Sequence, residues 1–241
     1  MNDSSHNPPH EQTPAATPSE RHRRTRSLVE AAEAIAGASA RPGQSLAEVQ
    51  VEHLLAWAEQ TKCLIAESDF LTLPLACDET GEHEVRYRES DQRAVKRTWP
   101  GTFGMMPEFS MAGWVPGYAT PLEYLQRFEL QNLIFRDQVW LEGVIHTGEK
   151  SKLVGAVDGG CSLVISQPWL VAANPEEPHP SDDEIDALMR ERGFAPLPNS
   201  FFGWFRESDN ILICDAKPDN FIMSPGGILP IDLLIVRCSE E

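Results

Sequence analysis

Residues 213–232 read ICDAKPDNFIMSPGGILPID. Asp215 and Asn220 stand on either side of Ala-Lys-Pro-Asp, an interval that lets both side chains point into one pocket. Two apolar runs follow, Phe221-Ile222-Met223 and Ile228-Leu229-Pro230-Ile231, flanking Ser224-Pro225-Gly226-Gly227. This is the pattern of a tight hairpin. A hairpin of this length returns Asp232 to the start of its first strand, beside Asn220. A carboxylate and a carboxamide with few other protein ligands suit Mg²⁺, which keeps waters and phosphate oxygens for its remaining positions. A polar turn on a β-hairpin would use the same residues, so the choice depends on the rest of the chain.

Phosphoryl transfer asks for metal-held phosphates, a positive charge on the nucleotide and a carboxylate near the nucleophile. Lys96 supplies a positive charge from the apolar-flanked strand Arg93-Ala94-Val95-Lys96. A helix is expected to start at Thr120, with Pro121 at its first position, and to run to about Phe135. It offers two glutamates as partners for Lys96. Glu129, midway between Leu125 and Leu133, is on an apolar stripe; Glu123 is also the second half of a capping box with Thr120. The choice between them stays open. SLVISQPWL (162–170) reads as a strand entering a hinge, where the backbone around Ser166 to Trp169, with Gln167 and Trp169, would meet an adenine ring.

Elsewhere the period decides. Residues 1–26 carry hardly an apolar side chain and are expected to be disordered. Helices are expected over 27–38 and 45–60, the second capped by Ser45 with Glu48 three residues on and carrying Leu46, Val49, Leu54, Trp57 and Ala58 on its apolar face. HEVRYRES (83–90) alternates and pairs with RAVKRTW (93–99) as a hairpin. Residues 100–117 read as a long irregular loop. Strands follow at 139–147 and 161–170, a helix over 184–193 that stops at Gly193, and strands at 211–215, 220–223 and 228–232. The whole predicts an α+β fold with two lobes.

In this order the blocks GEHEVRY (81–87), AVKRTWPGTFG (94–104), PLEYLQRFELQNLIFRD (121–137), LEGV (141–144), LVISQPWL (163–170), DEIDALMRERGF (183–194) and DAKPDNFI…GGILPID (215–232) resemble the serine/threonine/tyrosine-kinase-like domain of polyvalent proteins from phages and other mobile elements, within the protein-kinase and aminoglycoside-phosphotransferase-like group. The likeness spans about residues 50–236. It implies a compact bilobal kinase-like fold with a truncated C-terminal lobe: a tail over 1–26, a helical extension over 27–48 and the domain over 49–241, with an N-lobe of about 60–168 and a reduced C-lobe of 169–241. It also implies ATP and Mg²⁺ as cofactors, Lys96 on the phosphates, Asp215 as the catalytic carboxylate, and Asn220 and Asp232 as metal ligands. Several features depart from the pattern. There is no G-x-G-x-x-G, and Gly81-Glu82-His83-Glu84-Val85 takes its position, where His83 either touches a phosphate or stabilises the turn. Cys214 and Ile213 replace the Arg and His that precede the catalytic Asp, and Leu233 replaces the Phe of D-F-G. The nine residues after Asp232 leave no platform for a peptide substrate. The phosphate acceptor, a protein hydroxyl or a small molecule, stays open, as does the alternative of a catalytically degenerate nucleotide-binding or interaction module.

A formal net charge of −17 argues against nucleic acid or an anionic membrane surface as the main partner. The one basic run, Arg21, Arg23, Arg24 and Arg26, falls in the expected tail. The five cysteines form no CxxC pair, which suggests neither a disulfide framework nor a zinc site. No apolar run approaches the ~20 residues needed to span a bilayer, and no signal peptide is evident. A cytoplasmic location is expected.

Overall fold

The computed structural model describes residues 18–110, 113–198, 200 and 202–238. Helices α1 (Pro18–Ala36), α2 (Leu46–Thr61) and α3 (Glu67–Leu71) precede strands β1 (Leu75–Thr80), β2 (His83–Arg88) and β3 (Arg93–Thr98). A hairpin of β4 (Met105–Ser110) and β5 (Gly113–Tyr118) leads into α4 (Pro121–Phe135), then β6 (Trp140–His146) and β7 (Cys161–Pro168). The remainder runs through α5 (Asp182–Glu191), β8 (Ala195–Pro196), β9 (Trp204–Arg206), β10 (Ile211–Cys214), β11 (Phe221–Ser224), β12 (Gly227–Pro230) and β13 (Leu234–Arg237). Helices and antiparallel sheets are mixed as α+β reasoning expects.

Two larger sheets organise the chain. One has five strands in the order β1-β2-β3-β7-β6; the other has four, β13-β10-β9-β8. Along the first, Val85 pairs with Lys96 and Lys96 with Ile165, so these three side chains share a face. That face packs on helices: Leu141, Val144, Leu163 and Ile165 meet Tyr124, Leu125 and Phe128 of α4, and behind these come α1 and α2. The opposite face buries Val95 and Val164 against Phe70 of α3. The second sheet buries Ile211, Ile213 and Ile235 against α5 and the far half of α4, through Leu130, Ile134 and Phe135. Helix α4 therefore belongs to both cores, and the changeover falls between Phe128 and Leu130.

Local chemistry explains the helix ends. Ser45, Thr120 and Ser181 each accept from the backbone N–H three residues on, and Glu48, Glu123 and Glu184 each reach back to close a capping box. The first two were expected. The third starts α5 at Asp182, ahead of the expected residue 184.

Three differences from the expected organisation have physical causes. Helix α1 begins at Pro18, inside the tail expected to be disordered, while residues 1–17 lie outside the described residues. Leu28, Ala31, Ala32 and Ile35 bury one α1 face in the first core, and a helix anchored there propagates backward through good helix formers. The same packing ties Leu28–Ile35, the first part of the expected 27–48 extension, into the first core. Second, the expected irregular loop over 100–117 contains the β4–β5 hairpin, in which Pro107 opposes Pro116. A lone two-stranded ribbon tolerates prolines that a central strand would not. It is anchored because Met105 and Trp114 pack on Leu212, Cys214 and Leu234. Third, Leu46 is exposed, and Val51 is buried in the α2 stripe instead.

Candidate functional site

Strand β10 runs between β13 and β9 with all four residues buried, and Asp215 follows it with a φ of 56°. Aspartate is among the few residues other than glycine that enter this left-handed region. The chain then makes a single 3₁₀ turn, Pro218–Asn220. The Asn220 amide nitrogen donates both to the Asp215 carbonyl at 2.7 Å and to Asp215 Oδ2 at 2.8 Å. Asp215 Oδ1 is buried without a hydrogen-bond partner, with Lys217 Nζ at ion-pair range, 3.6 Å. Burial raises the Asp215 carboxyl pKa; Asn220 and Lys217 oppose the rise and Asp232 adds to it. Sequence reasoning passed over Lys217, whose signal was its position between Asp215 and Asp219, to which it also pairs at 3.6 Å.

The β11–β12 hairpin forms in the expected register, with Phe221 opposite Pro230 and Ser224 opposite Gly227. One further bond, from Ile231 N–H to the Asn220 carbonyl at 2.9 Å, brings Asp232 beside the Asp215–Asn220 pair. Four consecutive residues here are then each held by a side chain from the first sheet or α4. Gln167 donates to the Pro230 carbonyl at 2.7 Å and Lys96 to the Ile231 carbonyl at 2.6 Å. Arg127 pairs with Asp232 Oδ1 and donates through Nε to the Leu233 carbonyl at 2.6 Å.

Arg127 corrects the expected lysine–glutamate pair. Among the described residues no carboxylate forms an ion pair with Lys96. Glu123 is occupied at the helix start, accepting the Thr120 N–H at 2.7 Å. Glu129 is half-buried on another side of α4, where it lines a cavity of about 400 Å³ with Gln126, Leu130 and residues 235–238. The expected stripe Leu125–Glu129–Leu133 was out of phase: Leu133 is 65% exposed. The buried stripe instead follows Tyr124, Arg127, Phe128, Gln131 and Ile134. An arginine at helical spacing within a buried stripe requires partners, and this was the overlooked signal. They are Asp232 and Glu82, the latter at 2.8 Å. Glu82 also accepts the Met105 N–H at 2.9 Å. Gly104, with a φ of 73°, makes room: a Cβ there would lie 2.8 Å from the Glu82 carboxylate.

Burial raises the Glu82 pKa despite Arg127. Burial alone would also raise that of Asp232, but the Arg127 guanidinium, with Lys96, outweighs it and holds the carboxyl below its ordinary value. Burial lowers the pKa of Lys96, with Asp232 opposing and Arg127 reinforcing the shift. His83, buried and pushed down to about 3 mainly by desolvation, is a neutral ring with Nε2 at 2.8 Å from the Tyr124 hydroxyl. This favours its turn-stabilising role over a cationic one. Glu82, His83 and Asp232 offer ligand atoms within 4.8 Å of one another, but the Arg127 guanidinium is already bonded to both carboxylates.

Gln167, expected at an adenine, bonds Asp137 Oδ2 at 2.7 Å as well as Pro230. Trp169 is 42% exposed and meets Tyr87 edge-on at 5.1 Å between centroids. Burial raises the thiol pKa of Cys214, beside Asp215, to about 12, so it is inert. Among the described residues no helix is long and apolar enough to cross a membrane. Comparison with protein-family models, with curated proteins and with solved structures returned no match.

Proposed function

We propose that this chain is an ATP- and Mg²⁺-dependent phosphotransferase of protein-kinase-like arrangement, acting on an alcohol acceptor, either a protein hydroxyl or a small molecule. The observation that carries the reading is the convergence on Ile231. Lys96 bonds its carbonyl, Asn220 takes its N–H, and Asp232 is the next residue. Protein kinases carry their phosphate-binding lysine on the third strand, follow it with a helix, and draw the catalytic Asp and the metal-holding Asn from one loop. Here Lys96 is on β3, α4 follows, and Asp215 and Asn220 share the loop after β10. Val85 and Ala94 share the Lys96 face by register.

The donor set suits Mg²⁺. Asn220 spends its amide nitrogen on Asp215, which keeps its side-chain oxygen for a hard cation. Asp232 has one oxygen on Arg127 and a side chain 37% exposed. Asn220 and Asp232 would hold the ion, which would supply charge neutralisation on the phosphates. Asp215 would orient the acceptor hydroxyl and take its proton, a task for which a raised carboxyl pKa is suited. Lys96 would exchange the Ile231 carbonyl for a phosphate oxygen. Calorimetric titration with ATP, with and without Mg²⁺, tests the reading. Binding that strengthens with Mg²⁺ and is lost in Asp232→Ala supports it; absent binding, or equal binding to the variant, sinks it.

The contact from Lys96 to Ile231 also favours a second reading, a nucleotide-binding or interaction module without turnover, since the ammonium group is already engaged. ADP release that disappears in Asp215→Asn would rule that reading out.

A further inference from the structure

Helix α4 reaches the site through the guanidinium of Arg127, which bonds Asp232. Arg127 is fully buried, with a relative side-chain exposure of 0%, whereas the Asp232 it holds is 37% exposed. Asp232 is therefore gripped at Oδ1 from the interior, and part of the carboxylate faces solvent. The grip extends to the backbone, because Nε bonds the Leu233 carbonyl at 2.6 Å. The other arm of the fork is anchored on Glu82 at 2.8 Å and on the Met105 carbonyl at 3.3 Å. A planar fork with every arm engaged fixes direction as well as charge, which a lysine cannot do. Carboxylates that ligate metals are oriented by such outer contacts.

We propose that Arg127 is the positioning residue for Asp232: it fixes the orientation in which this carboxylate meets the divalent cation of a nucleotide complex. The inference rests on the reading of the site as an ATP and Mg²⁺ centre. It gives α4 a role unlike the one expected for it. The helix acts on the metal-holding aspartate through a cation, rather than on Lys96 through a glutamate. A purely structural role is the competing account, in which Arg127 does no more than neutralise partly buried Glu82.

Mn²⁺ serves as the probe, titrated into full-length protein at saturating ATP and followed by its electron paramagnetic resonance signal. ATP affinity without metal is measured in parallel, and folding is checked by circular dichroism melting. Arg127→Lys keeps the charge and loses the fork. Arg127→Met with Glu82→Gln removes the arginine together with the less exposed of the two carboxylates it would leave unpaired. Either folded variant should weaken Mn²⁺ binding by about tenfold or more, the usual effect of losing an outer-shell partner. Metal-free ATP affinity should stay within about twofold, since the altered contact is to a metal ligand. Glu82→Gln alone keeps the Arg127 contacts to Asp232 and to the Leu233 carbonyl and should weaken Mn²⁺ binding much less than Arg127→Lys does. Wild-type Mn²⁺ affinity in Arg127→Lys, or equal weakening in Glu82→Gln, overturns the positioning role and leaves the nucleotide reading standing. No Mn²⁺–ATP binding by the wild-type protein overturns both.

Discussion

Lys96 donates to the backbone carbonyl of Ile231 at 2.6 Å, across 135 positions of sequence. The bond joins the third strand of the five-stranded sheet to the residue before Asp232, so the two cores meet at the same point as the candidate chemistry. It also sets a condition on function. A phosphate that recruits the ammonium must offer more than one neutral carbonyl does, which a charge-assisted bond provides.

Lys96→Met should therefore separate binding from stability. The methionine keeps the apolar stem but leaves the Ile231 carbonyl unpaired, a loss of about 1–3 kcal/mol. Urea denaturation measures that loss. On the proposed function, affinity for Mg²⁺–ATP should fall at least about tenfold, the equivalent of about 1.4 kcal/mol. Unchanged affinity in a folded variant would show that Lys96 only ties Ile231 in place.

Arg127→Met should be among the most damaging single changes in this chain. It strands Glu82, partly buried, and Asp232, 37% exposed, without their shared cation. The loss should lie toward the low end of the about 3–5 kcal/mol typical of breaking a buried pair from one side, because solvent screens Asp232. Adding Glu82→Gln removes one stranded charge and should restore part of the stability, a non-additivity expected of residues in one network. A double-mutant cycle by chemical denaturation checks both expectations. Additive losses would mean that the Glu82 contact is energetically idle.

Much of this arrangement was legible because local chemistry and tertiary demand agreed. The capping boxes at Ser45 and Thr120, the alternation over His83–Arg88 and the turn before Gly227 each form as their residues dictate. The Asp215, Asn220 and Asp232 cluster was legible for the same reason, since a short loop and a short hairpin bring them together. What was hidden depends on distant partners. The β4–β5 ribbon is held by the second sheet, which overrides a Pro- and Gly-rich local signal. The phase of α4 is set by two cores at once, and a stripe drawn through Leu125 and Leu133 misses the buried Arg127. The partners of Arg127, Glu82 and Asp232, lie 45 and 105 positions away. No local pattern announces them.

Glu123 offers a sharp test of the corrected assignment. Its carboxylate closes the α4 capping box and makes no ion pair with Lys96. Glu123→Gln preserves the cap geometry and should leave both stability and nucleotide affinity nearly unchanged. Thr120→Ala, which removes the other half of the box, should lower stability by about 1 kcal/mol. Thermal melting and ATP titration of both variants decide the matter. A drop in ATP affinity confined to Glu123→Gln would return that glutamate to the nucleotide site.

His83 predicts how the fold responds to acid. Desolvation holds its pKa at about 3 in the folded protein against an ordinary value of 6.5, so the folded state favours the neutral ring. A depressed folded pKa contributes stability that is fully present above the unfolded value and is lost as pH falls. The loss should begin near pH 6.5 and continue toward about pH 3, the two values that bound the shift. Its size is at most several kcal/mol, taking ~1.4 kcal/mol for each pKa unit. His83→Gln removes the titrating group while keeping a polar end for the Tyr124 hydroxyl. Its unfolding free energy should start lower than that of the wild type at pH 7 and change less between pH 6.5 and pH 4. Parallel denaturation curves across that range test the difference. Identical pH slopes in the two proteins would mean that His83 takes up its proton without opposing the fold, and that the acid response arises at other groups.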